Sequence, residues 1–165
     1  MLDFAFMERG TPLCETFRQH YLFAGLEQEA FDKLVTGCSP MTLEKGEVLF
    51  HRGDPADDFY FVDTGLVELN LIAANGEKKV LEVVGPGRTF AEAVAFMRER
   101  RYPVTAEALA DCNLCQVPNN AYLALIYENP DACMRLLSDV CRQLHARVRE
   151  IENLTVANAR SRLAS

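Results

Sequence analysis

Turn signals interrupt residues 40–125 at short, regular intervals: Lys45-Gly46, Arg52-Gly53-Asp54-Pro55, Thr64-Gly65, Asn75-Gly76 and Gly85-Pro86-Gly87. The stretches between them carry strand patterns. Met41 and Leu43, then Val48 and Phe50, are strand-like, and Phe59-Tyr60-Phe61-Val62 is aromatic and β-branched. Leu66–Ile72 is mostly apolar with polar residues at 68 and 70, and Lys79–Val84, Thr105–Leu109 and Leu114–Val117 follow. Asn75-Gly76 between two apolar strands predicts a hairpin whose two central residues both take positive φ. Many short strands joined by glycine turns predict a small antiparallel barrel or roll of the jelly-roll (double-stranded β-helix) type.

Both flanks change period. Residues 12–37 hold short amphipathic segments, and Leu26, Ala30, Phe31, Leu34 and Val35 recur at helical spacing before Ser39-Pro40 breaks the chain. After the roll, Asn120–Tyr127 reads as a short helix and Asn129-Pro130-Asp131 as a turn and helix start. Nothing from Asp131 to about Asn158 breaks a helix. Leu137, Cys141, Leu144, Val148, Ile151 and Thr155 form a coiled-coil-like seam, flanked by Val140 and Leu154 and rimmed by Arg142, Arg147, Arg149, Glu150 and Glu152. A helix of ~27 residues is ~40 Å long, too long to bury its whole stripe on one small roll. A parallel homodimer through this seam is the expected solution. The fold class is therefore mainly β with flanking helices: an antiparallel β-roll followed by a long C-terminal dimerisation helix. The expected boundaries are 1–128 for helices plus roll and 129–158 for the helix.

Composition narrows the function. The chain has 165 residues, is 49% hydrophobic and 25% charged, and carries a formal charge of −7. That balance suits one globular domain and argues against these residues gripping nucleic acid by themselves. No run of 18 apolar residues spans a membrane. The N-terminus has Asp3 and no basic leader, so a cytoplasmic location is expected. Nucleophile-elbow, P-loop, zinc-protease and dinucleotide motifs are absent, so no enzyme is expected. Asp54, Asp57 and Asp58 cluster in a turn, where aspartate caps backbone donors. The basic run Arg98-Glu99-Arg100-Arg101 reads as a solvated loop.

Several of these segments together resemble the sensor domain of the CRP/FNR family of bacterial transcription regulators, a cyclic-nucleotide-binding-domain fold. They are Lys45-Gly46-Glu47, Gly53-Asp54-Pro55-Ala56-Asp57-Asp58-Phe59-Tyr60-Phe61-Val62, Gly65-Leu66-Val67, the cassette-like Gly85–Phe96, and Asn129-Pro130-Asp131. The resemblance implies an effector pocket in the roll. It also implies promoter DNA as a partner through a helix-turn-helix domain that would start at 159–165 and is otherwise absent from this sequence, with RNA polymerase as a further partner. In the family a cassette Glu takes the ribose and a cassette Arg pairs with the phosphate. Glu92 matches the first, but Ala91 stands where a glycine is usual, and Tyr102-Pro103-Val104 falls on the Arg-bearing stretch. Arg101 is one position off. Burying an anionic phosphate without its cation is expensive, so a cyclic nucleotide is not the expected ligand. Arg147 and Val148, where the family contacts the base, also depart from its pattern.

An iron–sulfur cluster is not expected either. Only Cys14 lies near the N-terminus, and Cys112 and Cys115, three apart on a strand, point to opposite faces. Leu81-Glu82-Val83, Thr89–Ala93, Phe96-Met97, Val104–Ala106, Asn120–Leu123, Leu144-His145 and Ile151-Glu152 are similar to the DNR branch, the nitric-oxide-responsive regulators of denitrification. That likeness implies haem in a pocket of Phe90, Ala91, Glu92, Tyr102, Val104, Thr105, Leu144 and Val148. His145, beside the seam, is the first axial candidate. His20, in a segment able to fold over the pocket, is the second, with cysteine or methionine near the pocket left open. His51, in a turn, reads as inert. A cyclic-nucleotide regulatory domain and a ligand-free dimerisation domain stay open beside this reading.

Overall fold

The computed structural model describes residues 7–164, so the leader reading at residues 1–6 and the end at Ser165 lie outside it. Two short helices, α1 (Pro12–Gln19) and α2 (Gln28–Gly37), precede eight strands: β1 (Ser39–Leu43), β2 (Val48–Phe50), β3 (Asp58–Thr64), β4 (Val67–Ile72), β5 (Lys78–Val84), β6 (Thr89–Phe90), β7 (Thr105–Ala108) and β8 (Cys112–Pro118). A 3-10 turn (Glu92–Phe96) follows β6, and helices α3 (Asn119–Glu128) and α4 (Pro130–Leu163) close the chain. The strands form two four-stranded antiparallel sheets, ordered β1-β8-β3-β6 and β2-β7-β4-β5. This is the jelly-roll arrangement that the glycine spacing predicts.

The two central strands of the first sheet, β3 and β8, bury side chains on both faces. Along β3, Phe59 and Phe61 join a core with the helices, while Tyr60 and Val62 point between the sheets. Two-sided burial explains why this strand is a continuous apolar run rather than an alternating one. Strand β8 divides likewise: Cys115 and Val117 face the helices, Cys112 and Leu114 the roll interior. The two cysteines therefore lie on opposite faces and cannot share a metal. The helical core centres on Phe17, stacked on Phe23 at 4.0 Å and edge-on to Phe61 at 5.2 Å. Tyr122 of α3 locks the layer by donating its hydroxyl to the Leu22 carbonyl at 2.8 Å.

Two local expectations need correction. The β4–β5 hairpin forms, but Gly76 alone has positive φ, at 83°. Gly76 N–H bonds the Ala73 carbonyl at 2.9 Å, closing a turn that ends in a left-handed glycine. The Asn75 side chain accepts from Glu77 N–H at 3.0 Å instead of adopting positive φ. Helix α4 is also longer than expected: it runs 34 residues, about 51 Å at 1.5 Å per residue, straight through 159–163. Only Ala132 and Leu136 of α4 are buried, so its first turns pack on the domain. Leu137, Leu144, Ile151 and Leu154 are more than half exposed, and Cys141, Val148 and Thr155 lie exposed on the same stripe.

Gly65 is the tightest glycine. Its φ is +94°, and an added Cβ would sit 2.4 Å from the Asp111 carbonyl oxygen and 2.6 Å from Cys112 Sγ. Backbone strain and overpacking add, so Gly65→Ala is expected to cost about 3 kcal/mol or more. Thermal unfolding should show a drop in Tm of about 10 °C, whereas Gly53→Ala, with open space around its Cβ, should lose far less.

Candidate functional site

A sharp turn after β6 shapes the site. Ala91 has φ 64° and ψ 7°, the sole non-glycine residue with positive φ among the described residues. A left-handed Ala costs about 1–2 kcal/mol. The backbone therefore keeps the geometry that a glycine would take, although the residue is alanine. The turn lets Phe90 and Val94 enter the roll core while Glu92 stays on the wall of a cavity.

That cavity, about 570 Å³, lies at the open end of the roll. Its apolar walls include Phe50, Leu69, Leu81, Phe90 and Val104. His20 and Tyr21 cover one side, and Gln143 and Arg147 of α4 another. Tyr102 closes the floor. Its ring stacks on Phe50 at 3.6 Å between centroids, and Phe50 and Phe90 both stack near Tyr60. The Tyr102 hydroxyl donates to the Asp58 carbonyl at 2.8 Å. A buried aromatic ladder thus fills the place expected to hold a phosphate-pairing arginine.

Charges around the cavity are few and unevenly compensated. Arg88 forms an ion pair with Glu82 and donates to the Val83 carbonyl at 3.4 Å. Burial pushes the Glu92 carboxyl above its ordinary range, helped by Glu82, while its own backbone N–H, Thr89 and Arg88 pull the other way. Burial pushes His20 down to about 4, so its imidazole is neutral near pH 7. His20 Nδ1 accepts Leu22 N–H at 3.3 Å, which assigns the proton to Nε2, 3.4 Å from Thr89 Oγ1.

Of the residues placed at the pocket from sequence, Phe90, Ala91, Glu92, Tyr102 and Val104 line this cavity. Thr105, Leu144 and Val148 do not. Thr105 is buried and accepts Arg52 N–H at 3.0 Å. Leu144 and Val148 lie on the exposed stripe of α4, about 100° around the helix from Gln143 and Arg147. His145 lies elsewhere: it sits in a shallow surface depression with Cys141, Arg142, Ala146 and Arg149, and does not line the roll cavity. His20 is the histidine at the cavity. The signal for the helix phase was present in Ala132, Leu136 and Val140, whose register leads on to Gln143 and Arg147. Both of those are polar, so an apolar count passes over them. Tyr21 and Arg88 were also missed, because only the fold brings them to the roll mouth. Six cysteines are free, and no cluster of three or more metal-binding side chains occurs among the described residues. No helix among these residues is long and apolar enough to cross a membrane.

A jelly roll with a cavity at its open end, capped by an N-terminal segment and a long helix, defines a small-ligand sensor module. Residues 40–129 match the cyclic nucleotide-binding domain family, and the chain belongs to it, in the form carried by CRP/FNR-type regulators. The chain is 29% identical over 143 residues to the cyclic AMP receptor protein of Thermus thermophilus, covering 87% of this chain and 66% of that protein. It is 26% identical to the cAMP-activated global transcriptional regulator CRP of Haemophilus influenzae, covering 81% and 59%. The sensor domain of the transcriptional regulator DNR from Pseudomonas aeruginosa is similar at 32% identity and a TM-score of 0.74, over 82% of this chain and 91% of that one. A second DNR structure matches at 33% identity and a TM-score of 0.79, over 90% and 65%. The chain spans about six-tenths of the length of the curated relatives it matches.

His20 links the site to pH. Its folded value, about 4, lies below its ordinary 6.5, so the unfolded chain binds a proton that the native one does not. The stabilisation is complete above about pH 6.5 and fades as pH falls towards 4. From pH 7 to 5 the loss is about 1–2 kcal/mol after discounting for partial exposure. Glu92 is shifted up and takes its proton more readily when folded, which offsets part of this. Urea unfolding should show His20→Gln losing less stability than wild type over that interval; equal losses would remove His20 from the account.

Proposed function

We propose that this chain is the effector-sensing and dimerising part of a CRP/FNR-type transcription regulator in the cytoplasm, and that its effector chemistry is DNR-like: haem-based sensing of nitric oxide controlling denitrification genes. The observation that carries the reading is the cavity itself. Its floor is an aromatic ladder through Tyr102 in place of a cation, Leu69, Leu81, Phe90 and Val104 give it apolar wall beside the polar Glu92 and Arg147, and one neutral imidazole, His20, covers its mouth. Such a slot suits a flat apolar macrocycle better than a cyclic phosphate.

Bound haem would supply an iron at which nitric oxide binds. His20 is the side chain that would hold it. Ligation through Nε2 requires the other tautomer, so His20 would surrender its bond from Leu22 N–H. The loop joining α1 to α2, on which Phe23 and Tyr122 also rest, would lose that bond. Dimerisation belongs to the exposed Leu137–Thr155 stripe of α4, and DNA binding to a helix-turn-helix domain outside these residues. Glu92 on the cavity wall favours a cyclic nucleotide as a second reading, since a carboxylate there accepts from ribose hydroxyls.

Haemin added to the purified protein should give a saturable Soret band that shifts on exposure to nitric oxide. His20→Ala should move the band and weaken binding about tenfold. No band at stoichiometric haemin would overturn the haem reading, and an unchanged spectrum in His20→Ala would move the ligand elsewhere.

A further inference from the structure

We propose that the cavity takes an amphipathic aromatic acid whose oxyanion is held by Arg147, so that α4 itself supplies the counter-charge. The inference deepens the function above, and rests on it only for the claim that this cavity is the effector site.

Charge bookkeeping around the cavity singles out Arg147. Arg88 is committed to Glu82 and to the Val83 carbonyl. Glu92 is half-buried, and the charges acting on it are Glu82 and Arg88, with Arg147 not among them. Arg147 therefore lines the cavity with no ion pair or hydrogen bond among the described residues, in a chain of net charge −7 where acceptors are plentiful. Its neighbours fit the same ligand class. Gln143, one turn earlier on the same face, offers an amide donor for an oxyanion. Leu69 and Leu81 offer apolar surface for a flat body. The opposite end has no free cation, because Tyr102 fills it.

Arg147 lies on the helix that carries the exposed seam. Val148, the next residue, belongs to that seam, so a ligand drawn to Arg147 fixes the helix phase relative to the roll. An anion held by a guanidinium gains a charge-assisted pair that a neutral analogue of the same shape cannot make.

Two matched probe pairs test this on the whole chain. Haemin is compared with its dimethyl ester by absorbance. Anilinonaphthalene sulfonate is compared with neutral phenylnaphthylamine by fluorescence. In wild type, each acid should bind about tenfold tighter than its neutral counterpart. Arg147→Gln should erase that preference while leaving the neutral probe unchanged. Arg149→Gln, an equal charge change on α4 outside this cavity, should keep it. If haemin fails to bind but the sulfonate pair shows the Arg147-dependent preference, the haem reading falls and the Arg147 assignment stands. If haemin and its ester bind alike, or Arg147→Gln binds the acids as wild type does, the assignment is overturned. Absence of binding by both acids overturns it as well.

Discussion

The structure depends on two strands that bury side chains on both faces of their sheet. Strands β3 and β8 supply residues to two cores at once: Phe59, Phe61, Cys115 and Val117 to the helices, and Tyr60, Val62, Cys112 and Leu114 to the roll. Because the side-chain period is two, any slip in their register would exchange the two sets. The paired sheet therefore fixes where α1, α2 and α3 sit. They in turn place His20 and Tyr21 over the mouth of the roll, and α3 hands the chain to α4 at Pro130. The site is a consequence of that layering.

Within the roll, aromatic stacking builds the floor of the cavity. Tyr102, Phe50, Tyr60 and Phe90 form a continuous ladder, and Tyr102 satisfies its hydroxyl on a backbone carbonyl. A satisfied, buried ring is stable without a ligand, whereas a buried guanidinium would require an anion. The cassette keeps its left-handed turn at Ala91 while the chemistry around it has changed. On the helix side, Arg147 lines the cavity.

Much of the fold was legible in the sequence, and the reasons are specific. Glycines at turns and the Phe59–Val62 run announced the roll, and Asn129-Pro130 announced the long helix. The family follows from the same segments. The turn type at Asn75-Gly76 was not legible, because Asn75 can either take positive φ or bond Glu77, and the strands' twist decides. The pocket was half legible. Residues adjacent in the chain to the cassette, from Phe90 to Glu92, and Tyr102 and Val104, fall on its walls. Those on α4 do not, because the phase of a helix against a sheet is set by two buried residues, Ala132 and Leu136, and not by its most conspicuous stripe. That same ambiguity put His145 ahead of His20.

The central claim is that Tyr102 and its ladder have converted a cyclic-nucleotide scaffold to another ligand. Isothermal titration of the protein with cyclic AMP and cyclic GMP tests it most directly. The account predicts no saturable heat for either up to about 1 mM, a limit corresponding to about −4 kcal/mol. Saturable binding of either nucleotide at micromolar concentration would contradict it.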